Sequence, residues 1–203
     1  PALNRARETA KSIGCLSKIK SLAKADAMYS SDYDDYMIPA KSGETGMHWH
    51  ELSASYVGVN PEKLDYSVSK EYCKAFICDS AGEALINPYS GTTYIRSANL
   101  GSYSAAFPQS YAYRKRAMCR RPSLMGILTD AGKSKSLSYD SFWDVPSIYN
   151  YFGMTVHRGH LNIAYVDGHA DKLPPEIGNS LVMLQPVLIT YKGVCSRAVN
   201  GWE

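Results

Sequence analysis

Three histidines and a carboxylate gather in the last third of this 203-residue chain: His157, His160, Asp167 and His169 fall within thirteen residues. Imidazole nitrogens and a carboxylate oxygen are a zinc donor set, and His48 with His50 forms a second pair. Spacing alone does not converge the donors, because the run around Ile163 to Tyr165 reads as a strand separating His157 and His160 from Asp167. The reading adopted is structural: His157 hydrogen-bonds the turn or a nearby backbone carbonyl and fixes a hairpin register. His157, His160, His169 and Asp167 stand only as weak metal candidates. Asp32, Asp34 and Asp35 suggest calcium, but an EF-hand loop counted from Asp32 needs Gly and Glu where Met37 and Gly43 stand. There is no Gly-x-Ser-x-Gly elbow, no Gly-x4-Gly-Lys loop and no Gly-x-Gly-x-x-Gly. The chain is expected not to be an enzyme and to carry no resident cofactor.

The elements that must position these residues change character along the chain. Residues 2–29 favour helix, being rich in Ala, Leu, Lys and Arg with Pro only at position 1. Leu3, Ala6, Ala10, Ile13, Leu16, Ile19, Ala23 and Ala27 recur at three- and four-residue steps and predict one apolar stripe that needs covering. Gly14 interrupts the helix at a cost of about 1 kcal/mol relative to Ala, which suggests a close contact or a kink. Beyond residue 40, Gly, Ser, Pro and Tyr punctuate short runs. Residues 49–56 predict a short helix with Trp49, Leu52 and Tyr56 on one face. Tyr72–Ile77, Thr92–Ile95, Tyr111–Tyr113 and Leu124–Leu128 predict strands. Asp167-Gly168 between two further runs predicts a hairpin with a two-residue type I′ turn. Pro186 breaks the apolar segment 180–191, which is expected to close over the core. A helix followed by strands gives α+β: a long N-terminal helix packed on an antiparallel sheet, with a loop-rich C-terminal region. The helical spine is assigned residues 1–36 and the β-rich domain residues 37–203.

Hydrophobic content of 45% with 20% charged residues excludes global disorder, and no run of eighteen apolar residues provides a membrane span. The first 26 residues carry six basic against two acidic side chains, a net +4; the remaining 177 therefore sum to −1 of the overall +3. Such a helix could meet nucleic acid, but a solvated face is the preferred reading, with no nucleic-acid partner. In a stack of identical subunits, one basic helix could meet its neighbour's acidic stretch around Asp32, Asp34 and Asp35. The five cysteines, at 15, 73, 78, 119 and 195, leave at least one unpaired and include no Cys-x-x-Cys. Cys73 and Cys78 are close enough in sequence to pair locally.

His157, nine residues, then Asp167-Gly168 resembles the processing-associated motif of bacterial prepilin-type proteins related to type II secretion pseudopilins. Three further stretches share the likeness. Pro1–Lys20 is similar to the segment following that family's hydrophobic anchor. Tyr29–Pro39 is similar to its acidic stretch after the first helix. Phe76-Ile77-Cys78 is similar to its Cys-containing strand end, with Asp79 in place of the usual Pro. The resemblance covers residues 1–173 and implies a pilin-like subunit of a type II secretion or type IV pilus-like assembly. It implies an inner-membrane anchor missing from this chain, which starts at Pro and is expected to be processed or shortened. It also implies cleavage and N-methylation by a prepilin peptidase, and a periplasmic or extracellular soluble domain working in protein transport. Other pseudopilin subunits and secretion components would be its partners. A Cys15–Cys78 disulfide and calcium binding are implied by resemblance only. The alternatives are an anchored extracellular binding module for carbohydrate or protein, using exposed Trp49 or Tyr faces, and a zinc-dependent hydrolase on the His cluster.

Overall fold

In a computed structural model the chain opens with one long helix, α1 (Ala2–Asp32), which at 1.5 Å per residue is about 46 Å long. The structure describes residues 2–64, 74–81, 91–97, 100, 113–130, 141–142, 156–157 and 160–173. Within these, α2 (Trp49–Ser53) is followed by the strands β1 (Tyr94–Ser97), β2 (Gly126–Asp130), β3 (Ser141–Phe142), β4 (Leu161–Tyr165) and β5 (Ala170–Leu173). The sheet order is β3-β1-β2-β4-β5. Strands β1, β2, β4 and β5 pair antiparallel, while the two-residue β3 adds a parallel edge to β1. The fold is therefore α+β.

α1 ends because Asp34 and Asp35 both take positive φ, and the Asp35 amide donates back to the Ser30 carbonyl at 2.8 Å. The helix lies against β2, β4 and β5. Its buried face matches the second half of the predicted stripe, at Ile19 and Ala23 with Leu16 partly covered, but not the first. Cys15, Ile19, Leu22, Ala23, Asp26 and Ser30 are buried, whereas Leu3 and Ile13 are 73% and 57% exposed. The first turns extend past the sheet's cover, so their apolar residues face solvent and the buried face begins at Cys15. Gly14 sits beside Asp79, where an added Cβ would meet Oδ2 at an ordinary 3.5 Å.

Successive residues of a strand face opposite ways, and β1 shows the consequence. Tyr94 and Arg96 share the α1 face; Asp130 and Leu128 stand opposite them on β2. A register shift between Gly126 and Leu128 lets both Ile127 and Leu128 join the core with Ile19, Phe76 and Val166. Every residue of β1, β2 and β4 is buried, so the sheet centre is covered on both faces.

Several expected elements differ. Lys74–Phe76, expected in a strand, forms a 3-10 turn, and its Phe76 carbonyl accepts from the Thr93 amide. Strands 1 and 2 begin two residues later than predicted. The short helix ends at Ser53, and a separate 3-10 turn covers Ser55–Val57. Tyr72, Cys73, Tyr111 and Ala112, the segment 180–191 and the rest of the C-terminal region lie outside the described residues. The hairpin between β4 and β5 is present, but its loop has three residues. The Gly168 amide donates to the Tyr165 carbonyl and the Tyr165 amide to the His169 carbonyl, both at 2.9 Å. Of the Asp-Gly pair, only Gly168 has positive φ, at 88°. This is the turn-plus-bulge connection in place of a type I′ turn.

Candidate functional site

The junction of α1 with the sheet gathers the reactive side chains. Cys15 on α1 and Cys78, just past the Lys74–Phe76 turn, form a disulfide with Cα atoms 5.1 Å apart. Both are buried. The Cys78 amide donates to Thr93 Oγ1 at 2.6 Å, which ties this segment to the start of β1. His157 Nε2 lies 3.3 Å from Cys78 Sγ and 3.3 Å from Asp130 Oδ2. The Tyr94 hydroxyl points at the Cys15 carbonyl, 3.5 Å away. Burial pushes the Tyr94 phenol well above its usual range, and the Asp130 and Asp79 charges push the same way. Cys15 Sγ, Cys78 Sγ and His157 Nε2 lie within 4.8 Å of one another, a spacing suited to a metal ion when the sulfurs are free. Asp79 accepts from Lys18 Nζ at 2.6 Å; the same Lys18 donates to the Ile77 carbonyl. This pair adds a second tie between α1 and this segment.

Deeper along the helix, Asp26 takes two arginines. Arg96 and Arg116 each donate to its carboxylate, the latter at 2.7 Å, and the Ile38 amide donates at 3.0 Å. Arg96 Nε also donates to the Ile38 carbonyl at 2.6 Å, and Arg116 reaches Ser30 Oγ and the Val166 carbonyl. Burial pulls the Arg96 guanidinium below its ordinary value, against the opposing pull of Asp26. One carboxylate on α1 thus fixes β1, the chain after the helix and the Arg116 turn, a 3-10 turn over Arg116–Met118. Sequence reading missed this network. Its signal was the position of Asp26, three and four residues beyond Ala23 and Leu22 on the same helical face.

The histidine cluster does not assemble as one site. His157 and His160 precede β4, and the His160 amide and ring both meet the His157 carbonyl at 3.2 Å. Asp167 and His169 lie past the other end of β4, paired with each other, with the His169 ring stacked on Tyr165. His157 therefore holds Cys78 and Asp130, not the Asp167-Gly168 turn. Trp49 is 1% exposed and packs edge-on against Phe76, so it offers no platform to a ligand.

The C-terminal end of α1 forms a cleft of about 500 Å³ lined by Tyr29, Tyr33, Tyr36 and Tyr113 with Asp32, Asp34 and Glu44. The Tyr29 and Tyr33 rings stack with centroids 4.2 Å apart. Tyr56 donates to Asp32 at 2.8 Å; burial, then this bond, raises its phenol far above the ordinary range. Lys115 pairs with Asp34 at 2.7 Å, which raises its own ammonium, and lies 4.7 Å above the Tyr36 ring. Each of Asp32, Asp34 and Asp35, where the EF-hand pattern fails, has its own protein partner, since Asp35 accepts from the Ala117 amide at 2.8 Å. Phenol faces beside carboxylates suit a cation. At the opposite end of α1, Arg5 and Arg7 are exposed. Among the described residues no helix is long and apolar enough to cross a membrane. Compared with known proteins, the chain matches no family model, no curated protein and no solved structure.

Proposed function

We propose that this chain is the soluble portion of a pseudopilin-like structural subunit of a type II secretion or type IV pilus-like assembly. The observation that carries the reading is α1: one face of its second half is buried on an antiparallel sheet, while residues 2–7 are all exposed. A spine fixed at one end and free at the other suits a subunit that stacks through its helix. The motif resemblance along residues 1–173 supports the same reading and adds the anchor, the prepilin peptidase and the inner-membrane setting. The work of such a subunit is mechanical: it binds its neighbours and turns over no substrate. The basic start of α1 and the acidic, tyrosine-lined cleft at its end are complementary, so the first turns of one copy would dock on the cleft of another.

Intact mass and N-terminal sequencing of the native protein from its source membrane test the reading. The expected result is a mature chain with about twenty apolar residues ahead of Pro1 and an N-methylated first residue. A native chain starting near Pro1 without that modification would overturn it. The same cleft favours a second reading, an anchored binding module whose tyrosine faces hold a carbohydrate. Glycan-array binding lost on Tyr33→Ala or Tyr36→Ala would select that reading.

A further inference from the structure

The buried polar groups around the disulfide are incompletely satisfied. Asp130 Oδ1 and His157 Nδ1 are buried and have no hydrogen-bond partner among the described residues, and both amide atoms of the neighbouring Asn162 are in the same position. Asn162 belongs to this cluster because its backbone amide donates to Asp130 Oδ2 at 2.9 Å. A folded protein seldom leaves four such atoms together, and a water or ion is the usual explanation. His157 Nε2 stands 3.3 Å from both Asp130 Oδ2 and Cys78 Sγ, and Cys78 is bonded to Cys15.

We propose that in the reduced chain Cys15, Cys78 and His157 bind one thiophilic divalent cation of the zinc type, with Asp130 as the neighbouring carboxylate. Zinc bonds of about 2.0–2.3 Å at tetrahedral angles set neighbouring donors about 3.3–3.8 Å apart. Cys78 Sγ and His157 Nε2 already stand at 3.3 Å. The two sulfurs reach that spacing by side-chain rotation once their bond is cut. A cavity of about 170 Å³, lined by Glu8, Thr9, Ser12, His157, His160 and Lys172, gives an entry path to the histidine. The chemistry balances simply. A dithiol reductant gives two electrons and two protons to the Cys15–Cys78 bond, yielding two thiols and the reductant's own disulfide. Cation binding then displaces both thiol protons to solvent. Reoxidation by a disulfide oxidant, which takes up the two electrons and two solvent protons and leaves as two thiols, re-forms the Cys15–Cys78 bond, removes two of the three ligands and expels the cation. α1 is thus tied to the sheet in either redox state, by metal or by disulfide. The inference does not depend on the assembly reading.

The test is a Co²⁺ titration of the full chain carrying Cys73→Ser, Cys119→Ser and Cys195→Ser, so that only Cys15 and Cys78 supply sulfur. The reduced protein should take up one equivalent, with a thiolate-to-cobalt charge-transfer band and tetrahedral d–d absorption that Zn²⁺ abolishes. The oxidised protein should show neither. His157→Gln, shown to be folded by circular dichroism in its oxidised form, should weaken binding at least tenfold, while His169→Gln leaves it unchanged. Absence of the band from the reduced protein, or unchanged affinity in His157→Gln, would overturn the proposal.

Discussion

Asp26 is the side chain on which the most of this structure depends. It is fully buried, takes two guanidinium groups and a backbone amide, and joins segments as far apart as α1, β1 and the Arg116 turn. Removing one member of such a network strands the others without a counter-charge. Asp26→Asn is expected to cost about 3–5 kcal/mol, read by urea unfolding of the oxidised protein. Arg96→Met should cost more than Arg116→Met, because the Arg96 side chain is 2% exposed and that of Arg116 18%. The reverse order would show that the Arg116 link to Val166 dominates. Tyr94 gives a pH-dependent counterpart. Its phenol is raised above 10.0, so above that pH the unfolded chain releases a proton that the folded chain retains. Stability from this group is therefore complete below pH 10.0 and falls above it, by up to about 1.4 kcal/mol per pH unit. Tyr94→Phe should flatten that alkaline decline while changing stability little at neutral pH, since the hydroxyl's contact with Cys15 is long. Thermal melts of both proteins between neutral pH and pH about 11 would show it. Neither residue stood out in the sequence. An aspartate on an amphipathic helix counts as a surface charge until its partners, 70 and 90 residues away, are placed beside it.

At the scale of elements, α1 carries two opposed features. Gly14 weakens it, and the disulfide one residue later holds it to the sheet. The Cβ space at Gly14 is ordinary, so Gly14→Ala is expected to stabilise the protein by up to about 1 kcal/mol in chemical denaturation. Loss of stability would reveal a requirement for close approach of the Asp79 loop. The disulfide closes a sequence separation of 63 residues, and a Cys15→Ala/Cys78→Ala double variant should lose about 4 kcal/mol. The helix itself was legible because its composition and the absence of internal Pro act locally. Its buried face was less so. Leu3 and Ile13 fit the three- and four-residue rhythm as well as Ile19 does, and only the sheet's extent decides which of them is covered. The hairpin was legible from Asp167-Gly168, but one Gly in the left-handed region serves a three-residue loop as well as a two-residue one. The strand expected near Phe76 failed for a related reason. Phe76 and Cys78 are buried at the helix face, and burial of aromatics supports a turn as readily as a strand when a disulfide holds the backbone.

For the whole molecule, the decisive property is the separation of charge along one rigid helix. Arg5, Arg7 and Lys11 stand at its start, and Asp32, Asp34 and Glu44 line the cleft at its end, about 40 Å away along α1. Within a single chain these groups cannot meet. Between stacked copies they can, and exposed charges attract across such an interface with a strength that falls as salt shortens the screening length to about 8 Å. If copies stack as proposed, zero-length carboxyl–amine crosslinking should join Lys11 of one copy to Asp32 or Glu44 of another, at a yield that drops with added salt. Arg5→Glu/Arg7→Glu/Lys11→Glu should abolish the intermolecular product without moving the melting temperature, because those side chains contribute little to the fold. Reversing the cleft in the same chain, by Asp32→Lys and Glu44→Lys, should restore association, with crosslinks now running from cleft lysines to the new helix glutamates. Restoration separates a specific docking contact from mere loss of positive charge, since both altered surfaces are foreign to the native protein and share only their complementarity. If charge reversal leaves association and its salt dependence untouched, the helix and cleft are not each other's partners, and the tyrosine-lined cleft is left to a ligand of another kind.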